Sequence, residues 1–341
     1  AVAAEWRKRD PHVKLTWVGT PDGPERVLVE AAKIPFVALS SPKLHRHKPW
    51  TWPFIPFAFI ASCFRSFTIL RDAEPTLVMS AGAYVSVPVV WMAAFLRIPS
   101  WIHQLDVEAG VANKLMAPFA KRISVTWEEN IRDFGAQKSI VVGAMIRPLL
   151  RLGDAQTARE LLILSKEKPT VFVIGGGTGA ASVNEMFAVI GHELLRHANI
   201  IHLTGRGKML TSLEAIGDGY VAREFMGEGI ADAFAVADVV VCRAGMGTIA
   251  EAVALGKPTI LIPLPGHQEA NARALADRGA AEVLSRLTPQ TLLQSILRLV
   301  EQPERREALS TKIRTVFPTN GDERIVHEAI RILSSAEQKN H

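Results

Sequence analysis

The sequence predicts an α/β protein made of two doubly wound, Rossmann-like domains. Three observations carry this expectation. Short apolar runs alternate with helical stretches along most of the chain. The 341 residues leave room for two hydrophobic cores. The run VFVIGGGTGAASVN at 171–184 joins a buried strand to a glycine loop and a helix start.

That run is the anchor of the reading. Residues 171–174 are apolar, Gly175, Gly176, Gly177 and Gly179 make a tight loop, and a helix follows from Ala180. Amides in the first turn of a helix have no intrahelical partner, and the helix dipole favours negative charge there. Glycines allow the backbone to approach a phosphate closely. A phosphorylated ligand is therefore expected at this point. The pattern of Gly175, Gly177 and Ala180 also fits the loose dinucleotide fingerprint, and a plain tight turn is the competing reading.

In order, residues 2–9 read as a helix, 13–18 as a strand, 26–32 as a helix and 36–39 as a strand. A helix in first place is unusual for an α/β chain unless a strand once preceded it. The chain opens on Ala1 without a signal-peptide pattern, so a processed or truncated start is expected. Residues 43–67 are basic at first, with Lys43, Arg46 and Lys48, then rich in aromatics and proline, including Trp50, Trp52 and Phe54. They are too short and proline-rich to span a bilayer, but suit an interfacial segment on anionic lipid. A helix packed on its own domain, with a solvated basic entry, fits them equally well.

Residues 77–96 carry no charge, yet they divide into a strand, a glycine turn and a helix led by Pro88. Strands follow at 100–103, 122–125 and 139–142, with a helix at 109–120 and a linker at 143–148. The second half repeats the grammar. Strands are expected at 171–174, 199–203, 239–242, 259–262 and 281–284, and helices at 180–190, 230–237, 248–255, 269–278, 288–301, 303–315 and 323–336. The expected domains are 1–146 and 147–320, facing a cleft, with the helix at 321–341 free to pack back on the first.

Composition narrows the partners. Hydrophobic residues make up 48% and charged residues 21%, as in ordinary globular proteins. Cys63 and Cys242 form neither a disulfide framework nor a metal motif, which fits a reducing compartment. The net charge of +5 favours anionic partners.

Three polar turns at strand ends in the second half carry the chemistry. The glycine loop is the first, and Arg243–Thr248 is the second, leading into a helix with Glu251 placed to accept from a ribose diol. The third offers His267, Gln268 and Asn271, whose amides and imidazole suit hydroxyl recognition. Each is individually also an ordinary cap or surface residue. In the first half, His103 and Asp106 follow a strand, and His103 is either a base or a structural histidine. The chain has no metalloprotease or P-loop motif.

The segments SAGAYVSVP, WIHQLDVEAGVANKLMAPFAKRI, VVGAMIRP, VFVIGGGTGAASVN and ADVVVCRAGMGTIAEAVALGKPTILIPLPGHQEANARALADRGAA occur in that order. Together they resemble the MurG family, the peptidoglycan N-acetylglucosaminyltransferases of glycosyltransferase family 28 and the GT-B fold. The resemblance implies an inverting hexosyltransferase that needs no metal or cofactor. It would move GlcNAc from UDP-GlcNAc to the C4 hydroxyl of lipid I, giving lipid II for cell-wall biogenesis, cell shape and division. It implies a peripheral place at the cytoplasmic face of the inner membrane, an anionic membrane surface and other cell-wall enzymes as partners, and no nucleic acid.

Carried across, the resemblance puts Arg147, Gly176, Gly177, Thr178 and Gly179 near the diphosphate, Met226 at the uracil and Glu251 at the ribose. Arg243, Ala244, Gly245 and Thr248 line the second turn, and His267, Gln268 and Asn271 read the sugar. Tyr84, Gly110 and Asn113 fall on the acceptor side, with His103 and Asp106 as the expected catalytic pair. The family's His-Glu-Gln-Asn reads His103, Gln104, Leu105 and Asp106 here, and its opening strand and glycine loop are absent. Two other readings remain. One is an NADP-binding oxidoreductase, disfavoured because Thr204, Gly205 and Arg206 stand where a ribose-binding acid is expected. The other is a non-catalytic UDP-sugar-binding membrane scaffold.

Overall fold

The computed structural model describes residues 1–23, 25–42, 49–175, 181–227 and 229–337. Lys43, Arg46 and Lys48, and the loop residues Gly176, Gly177, Thr178 and Gly179, lie outside the described residues. The chain forms two compact units. Ala1–Gly143 and the chain from Asn320 onward make the first, and Ala144–Thr319 makes the second.

The first unit opens with α1 (Val2–Arg9), β1 (Trp17–Gly19), α2 (Glu25–Ala31) and β2 (Phe36–Ala38). There follow α3 (Ile55–Ala73), β3 (Val78–Ser80), α4 (Ser86–Phe95), β4 (Ser100–Gln104), α5 (Val111–Met116), β5 (Arg122–Val125), α6 (Ile131–Phe134) and β6 (Ser139–Val141). β1 and β2 form one parallel pair, and β3-β4-β5-β6 form a separate parallel sheet. One apolar cluster serves both, with Val18, Val37 and Val78 packed against Leu39, Ile69, Leu70, Val85 and Val89. β4 is buried along its whole length, as expected for an inner parallel strand.

α3 is longer than the sequence indicated. Pro53 precedes it and Pro56 sits in its first turn, where the missing N–H costs no helical hydrogen bond. The helix therefore runs on to Ala73 and stops at Glu74, which adopts a left-handed φ of 42°. The stretch Trp52–Ala73 is long and apolar enough to cross a membrane by length and composition. Phe54, Phe57 and Phe64 on it are 70%, 74% and 71% exposed, so much of its apolar surface is not covered by the unit's core.

The second unit contains α7 (Ala155–Leu161), β7 (Thr170–Ile174), α8 (Ala181–Leu194), β8 (Asn199–Leu203), α9 (Thr211–Glu214), β9 (Tyr220–Arg223) and α10 (Ile230–Val236). It continues through β10 (Val239–Cys242), α11 (Met246–Leu255), β11 (Thr259–Leu261), α12 (His267–Asp277), β12 (Glu282–Val283), α13 (Pro289–Glu301) and α14 (Pro303–Ile313). The last helix, α15 (Gly321–Glu337), belongs to the first unit, where Glu328 pairs with Arg122 at 3.1 Å.

The six strands of the second unit are parallel, in the order β12-β11-β10-β7-β8-β9. Winding runs outward from β7 to β9, then returns to place β10 on the other side of β7. A doubly wound sheet opens a crevice where the order reverses, beyond the carboxyl ends of the strands. β7, β8 and β10 are buried throughout, as inner parallel strands are, with Asn199 and His202 of β8 the polar residues that this burial encloses beside Thr170 of β7. On one face Val171, Val173, Phe187, Ile200 and Leu292 form a core, and Phe172 meets Phe234 edge to face at 5.0 Å.

Several boundaries differ from expectation. α11 begins at Met246, so Gly247 is helical rather than part of the preceding turn. α12 begins at His267, which places both His267 and Gln268 in its first turn. α5 ends at Met116, short of the expected end at Ala120, although Ala117 just before Pro118 keeps helical φ and ψ. β9 was not foreseen, because a four-residue run with alternating burial is too short to announce itself.

Candidate functional site

The sequence-predicted donor residues gather at the carboxyl ends of the strands of the second unit. Arg243, Ala244 and Gly245 follow β10, His267 opens α12 after β11, and Met226 follows β9. Gly245 caps α11 in an extended conformation, and Thr248 and Glu251 lie within that helix. A Cβ built on Gly245, Gly247, Gly227 or Gly266 meets nothing within 4 Å, so backbone is open to a ligand at all four positions.

Two arginines set the electrostatics. Arg147 donates to Glu251 Oε1 from Nε at 3.0 Å and from Nη2 at 2.8 Å. Both donors fall on one oxygen, and Oε2 has no hydrogen-bond partner among the described residues. Burial raises the Glu251 pKa above its ordinary value, and the Arg147 charge opposes that shift. Arg243 donates from Nη2 to Ser182 Oγ at 2.6 Å and from Nη1 to the Ile262 carbonyl at 3.2 Å. It thereby ties the first turn of α8 to the ends of β10 and β11. Desolvation lowers its pKa, but a guanidinium remains charged.

The third turn is organised by its own hydrogen bonds. Gly266 has a φ of 97°, open to glycine and strained for other residues, and its N–H donates to Glu269 Oε2 at 3.1 Å. Gln268 Oε1 accepts from the Leu264 N–H at 3.1 Å, and His267 is exposed. Asn271 is fully buried and donates to the Ala244 carbonyl at 3.2 Å, so it fixes the second turn from beneath.

In the first unit, the expected base at His103 is not what the geometry offers. Its ring is buried, with Nδ1 2.9 Å from Ser124 Oγ and Nε2 3.3 Å from Thr126 Oγ1. Ser124 Oγ also accepts from Trp101 Nε1 at 2.8 Å and can donate to the Ile102 carbonyl at 3.5 Å, so both histidine nitrogens face hydroxyls that are themselves tied into the sheet. Desolvation pushes the imidazole pKa down to about 4. His103 is a neutral, fully engaged part of the sheet.

Gln104, which had no assigned role, organises the following loop. Its Nε2 donates to the Asp106 and Glu108 carbonyls at 2.8 and 2.9 Å, and its Oε1 accepts from Gly110 N and Asn113 Nδ2. Asn113 also donates to the His103 carbonyl at 3.0 Å. Asp106 is half-buried in this braced loop, Gly110 caps α5, and Tyr84 packs against the Leu39–Val89 cluster.

Sequence reasoning also missed Ser182, Asn184 and Gly247. Glycine inside a helix costs roughly 0.5–1 kcal/mol relative to alanine, so Gly247 at an open position was the available signal. A cavity of about 480 Å³ lies at the opposite, amino-terminal ends of β7 and β8, lined by Arg159, Lys166, Lys168, Asn199 and Asp218. None of the sequence-predicted site residues lines it.

Comparison with known proteins bears on both units. Residues 1–125 match the glycosyltransferase family 28 N-terminal domain, and residues 170–325 match the C-terminal domain of that family. A Lachnospira eligens protein is 35% identical over 293 residues, covering 84% of this chain and 82% of its own. A Legionella pneumophila protein is 33% identical over 334 residues, covering 96% and 90%. Both are named UDP-N-acetylglucosamine–N-acetylmuramyl-(pentapeptide) pyrophosphoryl-undecaprenol N-acetylglucosamine transferase. Among solved structures, Acinetobacter baumannii MurG superposes with a TM-score of 0.73 at 26% identity, covering 96% of this chain and 92% of that one.

The Arg147–Glu251 pair makes a direct prediction. Replacing Arg147 by Gln removes the charge that holds the Glu251 pKa down, so the carboxyl should titrate at higher pH than in the unaltered chain. Carbon-13 NMR of the Glu251 carboxyl reads that midpoint directly. An unchanged midpoint would show that the ion pair does not form in solution.

Proposed function

This chain belongs to glycosyltransferase family 28, and from that membership we propose that it transfers N-acetylglucosamine from UDP-GlcNAc to N-acetylmuramyl-(pentapeptide) pyrophosphoryl-undecaprenol. It is a hexosyltransferase of peptidoglycan synthesis, and its product is lipid II. The observation that carries the donor half is the state of Glu251. Arg147 orients its carboxylate through Oε1, and Oε2 remains to accept from a ribose diol.

The chemistry follows from charge. The C4 hydroxyl of the acceptor attacks the anomeric carbon with inversion, and UDP leaves carrying the negative charge. The amino termini of α8 and α11, with Arg243 between their entries, favour that charge where it develops. Asp106 takes the hydroxyl proton, a role that the engaged ring of His103 does not serve. Gly247 gives the donor sugar room at the first turn of α11.

Steady-state transfer assays with UDP-GlcNAc and a soluble lipid I analogue separate these roles. Glu251→Ala should raise the donor KM about tenfold or more, as expected when a hydrogen-bonded charged group is lost. Asp106→Asn should lower kcat by about a hundredfold, typical of a lost general base. Undiminished turnover by Asp106→Asn would remove Asp106 from the mechanism.

The acceptor is a lipid, and the first unit is the half that meets the membrane. The exposed Phe54, Phe57 and Phe64 on and beside α3 support peripheral membrane contact, and the use of UDP-GlcNAc as donor places that contact on the cytoplasmic face in this reading. Replacing these three by Ser should abolish co-sedimentation with anionic phospholipid vesicles. Retained co-sedimentation would contradict the assignment of this surface.

A further inference from the structure

Beneath the donor-side loops lies a buried polar chain that the proposed mechanism does not use. Asn184 is in the second turn of α8, His202 is on β8 and Tyr220 is on β9. Asn184 and His202 are buried, and Tyr220 is 9% exposed. Asn184 Nδ2 donates to the Thr204 carbonyl at 3.1 Å and to the Lys208 carbonyl at 3.0 Å. That fixes the amide orientation and turns Oδ1 toward His202 Nε2, 3.1 Å away. His202 Nε2 must therefore carry the hydrogen, which leaves Nδ1 to accept from the Tyr220 hydroxyl at 2.7 Å. Burial holds the imidazole neutral, with its pKa pushed down to about 3. The ring packs against Phe187, with centroids 5.1 Å apart.

The carbonyls held by Asn184 are the two ends of one loop. Thr204 leaves the carboxyl end of β8, beside the strand that feeds the glycine loop. Its N–H and hydroxyl both donate to the Arg223 carbonyl at the end of β9. Between Thr204 and Lys208, Arg206 extends its guanidinium over Phe225 at 4.6 Å from the ring centroid. Phe225 is 60% exposed and adjoins Met226, the residue assigned to the nucleotide base. A continuous set of contacts thus runs from α8, through the loop, to the base-side segment.

We propose that Asn184, His202 and Tyr220 are positioning residues for donor recognition, which hold the 204–208 loop, and through Arg206 the Phe225–Met226 segment, in register with α8. The inference rests on the donor-side reading of the second unit. These side chains touch no ligand. They act by fixing where the base-side backbone stands relative to the helix that faces the diphosphate. A rigid, fully satisfied network of this kind specifies a single geometry, and a partly satisfied one releases it.

Asn184→Asp tests this with almost no change in volume. The second carboxylate oxygen then faces the Thr204 and Lys208 carbonyls and repels them. UDP-GlcNAc binding by calorimetry should weaken about tenfold, as for a buried hydrogen-bond set turned unfavourable. The acceptor KM should not change, and kcat should stay within about twofold, because the bound donor and the transition state lose the same positioning. Site-resolved hydrogen exchange should quicken at 204–208 and 223–227, with the β7 and β10 amides as protected as before. Arg206→Ala, a surface change that does not challenge folding, should weaken donor binding about threefold, the scale of an exposed cation–π contact. It should quicken exchange at 223–227 alone.

An unaltered chain that binds UDP-GlcNAc, with both variants binding it as tightly and exchange unchanged, overturns the relay alone. An unaltered chain that binds no UDP-GlcNAc overturns the donor reading and the relay's role together.

Discussion

Between β7 and β10 the parallel sheet of the second unit reverses its winding, and the donor-side polar groups are placed by that reversal. Right-handed crossovers send the helices that follow these two neighbouring strands to opposite faces of the sheet. The amino ends of α8 and α11 therefore start from neighbouring strands and lie on opposite faces of the sheet. Arg243 links the two by reaching from the end of β10 to Ser182 on α8. Asn271 supports the same turn from below through the Ala244 carbonyl. The crevice is thus a consequence of strand order, and its polar lining is held by side chains from the elements on either side.

Burial and charge divide the work within this frame. The two deeply buried histidines, His103 and His202, are both driven neutral by desolvation, with pKa values near 4 and 3. A neutral imidazole presents one donor and one acceptor in a fixed arrangement. Each ring uses both nitrogens to join neighbouring strands or helices, so each is a part of the scaffold. Arg147 and Glu251 pair on the donor side, where burial raises the carboxyl pKa and the guanidinium beside it opposes that shift only in part. In the first unit, Gln104 does comparable work with neutral atoms. Its amide donates to two carbonyls, a task that a carboxylate at that position could not perform, since it has no donor when ionised and only one when protonated.

The sequence made the second unit readable because its signals are local. Residues 171–174 and 239–242 are unbroken apolar runs, each followed directly by glycine-containing turns, and buried parallel strands have that appearance. The long-range pairings were not legible. Arg147 and Glu251 stand 104 positions apart, and Arg243 and Ser182 stand 61 apart, so no spacing rule connects them. The role expected of His103 reflected residue type and motif, while its burial depends on β5 supplying Ser124 beside it. The length of α3 was hidden by prolines that fall at its entry, where they are compatible with a helix. Gly247 looked like one more turn glycine, and only the start of α11 at Met246 shows that it is a helical position with open space above it.

The most direct test of the account is a crystal structure of the chain with UDP. The diphosphate should lie at the carboxyl ends of β7 and β10, against the first turns of α8 and α11, with the ribose hydroxyls on Glu251. Nucleotide density at the other end of the sheet, in the cavity lined by Arg159, Lys166 and Lys168, would contradict it.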